Sequence, residues 1–447
     1  MSSIRFEIRR LGSLAAPIAV TQLATMMLWT VDFLMVGRID VLSLNAVALG
    51  RLWVIGTAIV AMGLIFGQDA IAAQAHGARN RRRLGGVLQH SVILGLLVSV
   101  PLGALWLFTE PILVAFGQAP DVARLAHRYV AAQIPALPFF MVFVSLKQYL
   151  QARGIVRPEM WIALGANVVH AALNWVFVFG HLGAPRLGAV GAGVSTAISE
   201  LLMLGAMLLA FRIYRLQRGS ETILSLARVR LAGLGEILRL GLPLAVMLAL
   251  EYWAFAISTL WAGRLGPSQL AAHSIVLSLA SISYMVPLGV GLGATTRVGN
   301  LIGAGEPRNA QRAAWVAFAL GGFVMTLFAV GFVAGRHSIP TWFTLDAEVV
   351  ALAALLLPIA AAFELFDGLQ VVGSGILRGM GRTRPAAAFN LIGYYGIGLP
   401  IAWWLSRPER LGLAGIWWGL AAGLFVVAIL AVGWVARRGP ATAERLV

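Results

Sequence analysis

Twelve apolar runs, each long enough to cross a bilayer, leave this chain few possible folds. A hydrocarbon core about 30 Å thick needs roughly 20 apolar residues per helix. Such stretches fall at approximately 11 to 37, 45 to 76, 87 to 109, 122 to 150, 158 to 180, 187 to 212, 235 to 263, 268 to 303, 310 to 334, 347 to 377, 385 to 405 and 412 to 436. The alternating runs of a β-barrel are missing, and in lipid every backbone polar group must be satisfied internally, so helices are the spanning structure left. With 60% of the 447 residues hydrophobic and 12% charged, the fold class is an all-α membrane protein of twelve transmembrane helices. The N-terminal run exceeds the apolar core of a signal peptide and is read as a retained first span.

Cysteine is absent, which removes disulfide and thiol chemistry, and seven scattered histidines give no zinc-site spacing. A net charge of +16 would suggest nucleic acid in a soluble chain. Here the arginines sit in short connections, so topology explains them and no nucleic acid is expected. Arg5, Arg9 and Arg10 precede the first span, and Arg79 and Arg81 to Arg83 follow the second. Arg153 and Arg157, Arg215 to Arg230, Arg308 and Arg312, Arg382 and Arg384, and Arg437 and Arg438 mark every second connection after that. The other connections carry Asp40, Glu110, Asp121, Asp346, Glu348 and Glu409. Both termini are therefore expected in the cytoplasm. A single lysine, Lys147, among 34 basic residues points to a GC-rich bacterial genome, and hence to a bacterial inner membrane.

Residues 14 to 82 match residues 226 positions later without a gap. Pro17 meets Pro243, Ala19 and Val20 meet Ala245 and Val246, and Gly37 and Arg38 meet Gly263 and Arg264. Gly63, Gly67, Gly77, Ala78 and Arg82 meet Gly289, Gly293, Gly303, Ala304 and Arg308. The chain thus reads as an N-lobe of six helices (1–212), a cytoplasmic inter-lobe loop (213–234) and a C-lobe of six (235–447). Parallel repeats of this kind are frequent in secondary transporters, whose binding sites lie at the repeat interface.

A charge at membrane depth is costly and usually functional. Asp32 lies in the first span, Glu251 in the seventh and Asp367 in the tenth. Burial disfavours the bare carboxylate, so such a group suits the alternate holding of a proton and a cation; the plainer alternative is an acid that only packs helices. Glu364, one turn from Asp367, either shares its proton or faces a neighbouring helix. Glu200 and Asp69 read as polar glue between helices. Aromatic and sulfur side chains gather near the acids. Trp29, Tyr252, Trp253, Phe363, Tyr284 and Met285, with Glu364, are the candidate substrate contacts, since flat organic cations favour aromatic faces, methionine and an anion. Pro287 followed by Gly289, Gly291 and Gly293 would let the eighth helix bend or pack closely.

In VDFLMVGRID with ALG at 48 to 50, AAQAHGARN at 72 to 80, LNWVFVFG at 173 to 180, the run from Leu270 to Gly305, and LQVVGSGILRGMGRTR at 369 to 384, the chain resembles the multidrug and toxic compound extrusion (MATE) transporters, within them the NorM-like bacterial branch. The resemblance implies a V-shaped pair of six-helix lobes around a central cavity. It also implies export of cationic drugs or dyes in exchange for H+ or Na+ by alternating access, without a cofactor. A monomer in membrane lipid is expected. The family's coupling acids fall on Asp32, Glu251 and Asp367, with His170, Asn174 and Thr196 as N-lobe partners. Sodium, if used, would sit at Asp32 with Asn174, or at Glu251 with Asp367. His170 departs from the family, which commonly has asparagine there, and a histidine favours protons. An alternative role is a flippase for lipid-linked or amphipathic metabolites. No HExxH, GxSxG or P-loop sequence supports an enzyme or an ATP-driven pump. Midplane acids in both lobes speak against a channel.

Overall fold

The computed structural model describes residues 4–221, 230–407 and 409–446; Arg228 and the rest of 222–229 in the inter-lobe segment lie outside them. Among the described residues the apolar runs become twelve helical spans. They are α1 (Ile4–Val36), α2 (Val41–Gly77), α3 (Arg81–Leu107), α4 (Pro120–Ala152), α5 (Arg157–Phe179), α6 (Ala189–Ile213), α7 (Leu231–Arg264), α8 (Pro267–Gly303), α9 (Pro307–Ala334), α10 (Ala347–Gly379), α11 and α12 (Leu413–Arg438). α11 is composite: an α-helical turn pair Thr383–Asn390, a π-helix Leu391–Gly398 and a last α-helical piece Leu399–Leu405. The molecule is a multi-pass membrane protein.

Local chemistry sets the boundaries. Asp40 opens α2 by accepting from the Ser43 amide at 2.6 Å, and Asp346 opens α10 by accepting from Glu348 and Val349. Two of the acids in the arginine-poor connections are thus helix caps. Asn80 caps α3 in the same way, and Gly180, at φ +81°, ends α5 in the left-handed conformation that glycine adopts without strain. In α2 the helix breaks at Phe66 and Gly67, and in α4 the Ile134–Ala136 turn is 3₁₀.

The chain forms two compact units. One comprises Met1–Ala19, Asp69–Arg79 and Val246–Val447, the other Val20–Gln68 and Asn80–Ala245. α1 and α7 each divide between units, after Ala19 and after Ala245, which are equivalent positions of the repeat. The first unit is built on Phe363, Tyr394, Trp417 and their aliphatic neighbours. The second is built on Trp106, Tyr129, Leu137 and Met141.

Within the units, equivalent glycines make equivalent contacts. A Cβ on Gly63 would overlap the Ala245 backbone, and one on Gly289, its repeat mate, would overlap the backbone at Ala19, the mate of Ala245. Gly67 abuts Gly241, while Gly293 faces Ala15. Gly77 lies against the Asn300 carbonyl, and Gly303 against the Gln74 carbonyl. Each pair is the other carried 226 positions along, so the duplication read in the sequence is also a duplication of backbone contacts. Small residues are what permit such approach where lipid removes any hydrophobic drive between helices.

Charged residues complete the first unit. Arg297 donates two bonds to Glu7, at 2.9 and 2.7 Å, with Glu7 almost wholly buried. Arg378 pairs with Asp69, so that acid does join helices. Replacing Gly77 or Gly303 by valine overpacks a backbone contact, which typically costs about 1–3 kcal/mol. Thermal unfolding of the detergent-solubilised protein should fall by several degrees for either. Gly86→Ala and Gly165→Ala meet open space and should melt at or slightly above wild type. Equal melting of all four variants would contradict the contact scheme.

Candidate functional site

The first cluster lies in the second unit, where α1, α5 and α6 meet. α5 carries His170 and Asn174 four residues apart, hence on one face. Both reach Asp32 on α1: His170 Nε2 is 2.7 Å from Asp32 Oδ1, and the Asn174 amide donates to the same oxygen at 2.6 Å. All three side chains are buried. On the other edge of the imidazole, Nδ1 is 3.0 Å from Ser199 Oγ of α6.

The Ser199 hydroxyl has one proton and donates it to the Ser195 carbonyl at 2.7 Å. It therefore accepts from His170 Nδ1, which fixes the tautomer. With Nδ1 protonated, the short contact between Nε2 and Asp32 Oδ1 must contain a proton, whether written as imidazolium with carboxylate or imidazole with carboxylic acid. The dyad is a one-proton unit and neutral in either form. Thr196, the other α6 candidate, instead donates to the Ala192 carbonyl one turn back. Asn174 Oδ1 is buried without a hydrogen-bond partner.

The second cluster lies in the first unit, on α7, α8, α10 and α11. Glu251 receives three donors: the Tyr284 hydroxyl at 3.2 Å on Oε1, and the Gln370 and Asn390 amides at 3.3 Å each on Oε2. Glu364, Asp367 and Gln370 follow at successive three-residue steps, so α10 presents them as one polar stripe. Glu364 accepts from Ser283 at 2.7 Å on Oε2, while its Oε1 is buried without a partner. Ser283 and Tyr284 are consecutive on α8, so one turn of that helix holds both glutamates. Asp367 is 3% exposed, and no donor reaches it among the described residues. Asn390 stands at the junction with the π-helical stretch, a kind of helix interruption frequent at functional sites. One turn further on, Tyr395 donates to the Leu250 carbonyl beside Glu251 at 3.2 Å.

The aromatic candidates separate. Tyr284 is bonded to Glu251, and Met285, partly buried, follows it. Tyr252 and Trp253 pack edge to face at 5.7 Å, with Trp253 40% exposed. Trp29 is covered by the Arg51 guanidinium, 4.7 Å from its ring. Phe363 is interior, edge to face with Phe255 at 6.0 Å and Trp417 at 5.5 Å. Glu200 is partly buried, next to Ser199 on α6. Ser199, Ser283, Gln370 and Asn390 escaped the sequence reading, because short polar residues are ordinary in membrane helices and carry no charge to mark them. Gln370, three residues after Asp367, was the one with a usable spacing.

The MatE family model matches twice, at residues 17–176 and 243–404. Its two segments begin at the equivalent prolines, Pro17 and Pro243. The chain is 36% identical over 423 residues to the multidrug resistance protein NorM of Burkholderia vietnamiensis, covering 93% of this chain and 91% of that one. It is 34% identical over 442 residues to multidrug and toxin extrusion protein 1 of Oryctolagus cuniculus, covering 98% and 76% respectively. The solved eukaryotic MATE transporter AtDTX14 superposes with a TM-score of 0.90 at 28% identity over 98% of each chain. The Vibrio cholerae MATE transporter VcmN in its bent form gives 0.85 at 18% identity over 100% and 99%, a likeness of fold.

Phe363 and Trp253 differ in burial, and their truncation should differ in kind. Phe363→Ala should cost about 3–5 kcal/mol, read as a large drop in melting temperature. Trp253→Ala should cost about 0.5 kcal/mol or less, as expected of an exposed residue. Equal losses would remove the distinction between core and accessible aromatics.

Proposed function

As a member of the MatE family, standing with the NorM-like bacterial multidrug transporters, the chain is a MATE transporter, and we propose that it works as a proton-coupled antiporter exporting organic cations by alternating access. The observation that carries this reading is the Asp32–His170 hydrogen bond with its single enclosed proton. Losing that proton to the cytoplasm leaves a buried net negative charge, which a cationic substrate entering from inside neutralises until a proton taken up from outside displaces it. Ion and substrate then exclude one another at the same acid, the requirement for exchange rather than leak.

The donor pattern favours a proton over sodium at Asp32. A hard cation seeks several oxygen lone pairs, whereas Asp32 Oδ1 already receives an amide N–H and faces a ring nitrogen. Asn174 Oδ1 is buried there with its capacity unmet. In the second cluster, Glu251, held by three donors, is placed to meet the cationic centre of a substrate. Asp367, without a donor, is suited to carry a proton. Tyr252, Trp253 and Trp29 supply the aromatic surface. Reading the arginine pattern as topology places the protein in the bacterial inner membrane, with both termini in the cytoplasm. A monomer suffices, since each unit holds its own acid cluster.

Reconstituted liposomes test the assignment. A pH gradient should drive efflux of ethidium, and a sodium gradient alone should not. Asp32→Asn and Asp367→Asn should each lower the initial rate about tenfold or more, equivalent to ~1.4 kcal/mol of lost coupling. Efflux driven by sodium at constant pH, or unchanged rates in both variants, would overturn the proposal. Loss of lipid-linked substrate movement with drug efflux intact would turn the reading to a flippase.

A further inference from the structure

His90 belongs to neither acid cluster, yet its hydrogen bonds are fully specified. It sits on the third turn of α3, partly buried, with Nδ1 2.6 Å from the Gly86 carbonyl four residues back. A carbonyl only accepts, so Nδ1 carries a proton. On the far side of the ring, Nε2 accepts the backbone N–H of Arg230 at 3.1 Å, immediately before α7 begins. Nε2 must therefore present its lone pair, and the ring as a whole is neutral. The first turn of α7 is shaped to receive it. A Cβ on Gly233 would stand 2.6–2.8 Å from three ring atoms, so the imidazole lies directly on that glycine.

The same stretch of α3 holds the connecting segment on both sides of its undescribed part. The Glu221 amide donates to the Arg81 carbonyl at 3.1 Å, and Arg83 pairs with Glu236 on α7. Arg153 of α4 grips the Leu216 and Arg218 carbonyls ahead of it. The charges facing His90 are thus Arg83 on its own helix and Arg230 and Glu236 on α7. Arg83 and Glu236 are already paired with each other. From α4, Ser145 donates to the neighbouring Ser91 carbonyl, and Lys147 is turned to Glu159.

We propose that His90 is a proton-sensitive clasp fixing Arg230 and the first turn of α7 onto α3, and that proton uptake by its ring releases them. Protonation puts an N–H where the Arg230 N–H already points. It also places positive charge at a helix N-terminus, whose own partial charge is positive, beside an arginine. Nothing in this arrangement can accept the new proton, so the contact opens when the ring takes one up. The Arg83–Glu236 pair stays in place, so release is confined to the first turn of α7. On the topology proposed above the clasp faces the cytoplasm. There it would loosen the start of α7 when the interior acidifies, a control distinct from the coupling acids.

Hydrogen–deuterium exchange on the full chain in nanodiscs, without substrate, tests the clasp. Amides 230–234 should lose protection by about three- to tenfold between pH 7.5 and 5.5 after correction for intrinsic exchange, the scale of one hydrogen bond plus a helix-terminus charge. His90→Gln keeps a neutral donor and acceptor, and its protection there should change by less than about twofold. Wild-type protection that does not depend on pH, or an equal loss in His90→Gln, would overturn the proposal. Wild type alone decides the matter should the variant not fold. Exchange is read without transport, so the clasp and the antiport reading fail separately.

Discussion

Helix backbones that touch are the constraint on which the rest of this structure depends. In lipid, apolar side chains gain nothing by leaving one apolar environment for another, so cohesion has to come from close van der Waals contact and interhelical hydrogen bonds. The chain meets this demand with glycines at equivalent places in both repeats: Gly63 with Gly289, Gly67 with Gly293, Gly77 with Gly303. Close approach also brings side-chain amides within reach of foreign backbone, as where Gln74 donates to the Gly379 carbonyl and accepts from the Leu446 amide. Buried ion pairs such as Glu7 with Arg297 are tolerable here because the pairing is bidentate, with two N–H groups of Arg297 on the two oxygens of Glu7.

The duplication conserves packing but not chemistry. Asp32 corresponds to Ser258 in the second repeat, and Ser258 merely returns its proton to the Phe255 carbonyl. Acids appear instead at Glu251, whose mate in the first repeat is Thr25, and at Asp367, beyond the matched stretch. The two clusters also differ in how their charge is managed. At Asp32 a ring nitrogen and an amide converge on one oxygen. Around Glu251 the donors spread over both oxygens, and the neighbouring Glu364 has one bonded oxygen and one bare. One polypeptide thus places its buried acids in two differently bonded surroundings.

Much of this was legible in the sequence. The spans, the repeat and the three acids follow from hydropathy, a fixed offset and the cost of charge in lipid, and each rests on residues that stand out. Local caps were only half visible: Asp40 and Asp346 looked like loop charges but are the acceptors that start α2 and α10. The partners of the acids were not visible, because Ser199, Asn390 and Ser283 become significant only through which helix they meet. Phe363 illustrates the opposite error of emphasis. Its nearness to the acids placed it among the candidate contacts, and the fold packs it in the interior against Phe255 and Trp417. Arg378 pairing with Asp69 also needed the fold, since the residues are far apart in sequence.

The π-helical stretch of α11 has a consequence for how that span is read by substitution. Bonding from each residue to the fifth beyond it widens the turn, so Thr383–Asn390 and Leu399–Leu405 do not continue one another in phase. A helical wheel drawn through the whole span would mix inward and outward faces. To a mutational scan α11 is two helices, with separate sensitive stripes and a seam at Leu391–Gly398. Removing a single residue from the seam would not merely shorten the span. It would rotate everything beyond it, including Trp403 and Trp404, to a new bearing, so length and direction are specified there by the same eight residues.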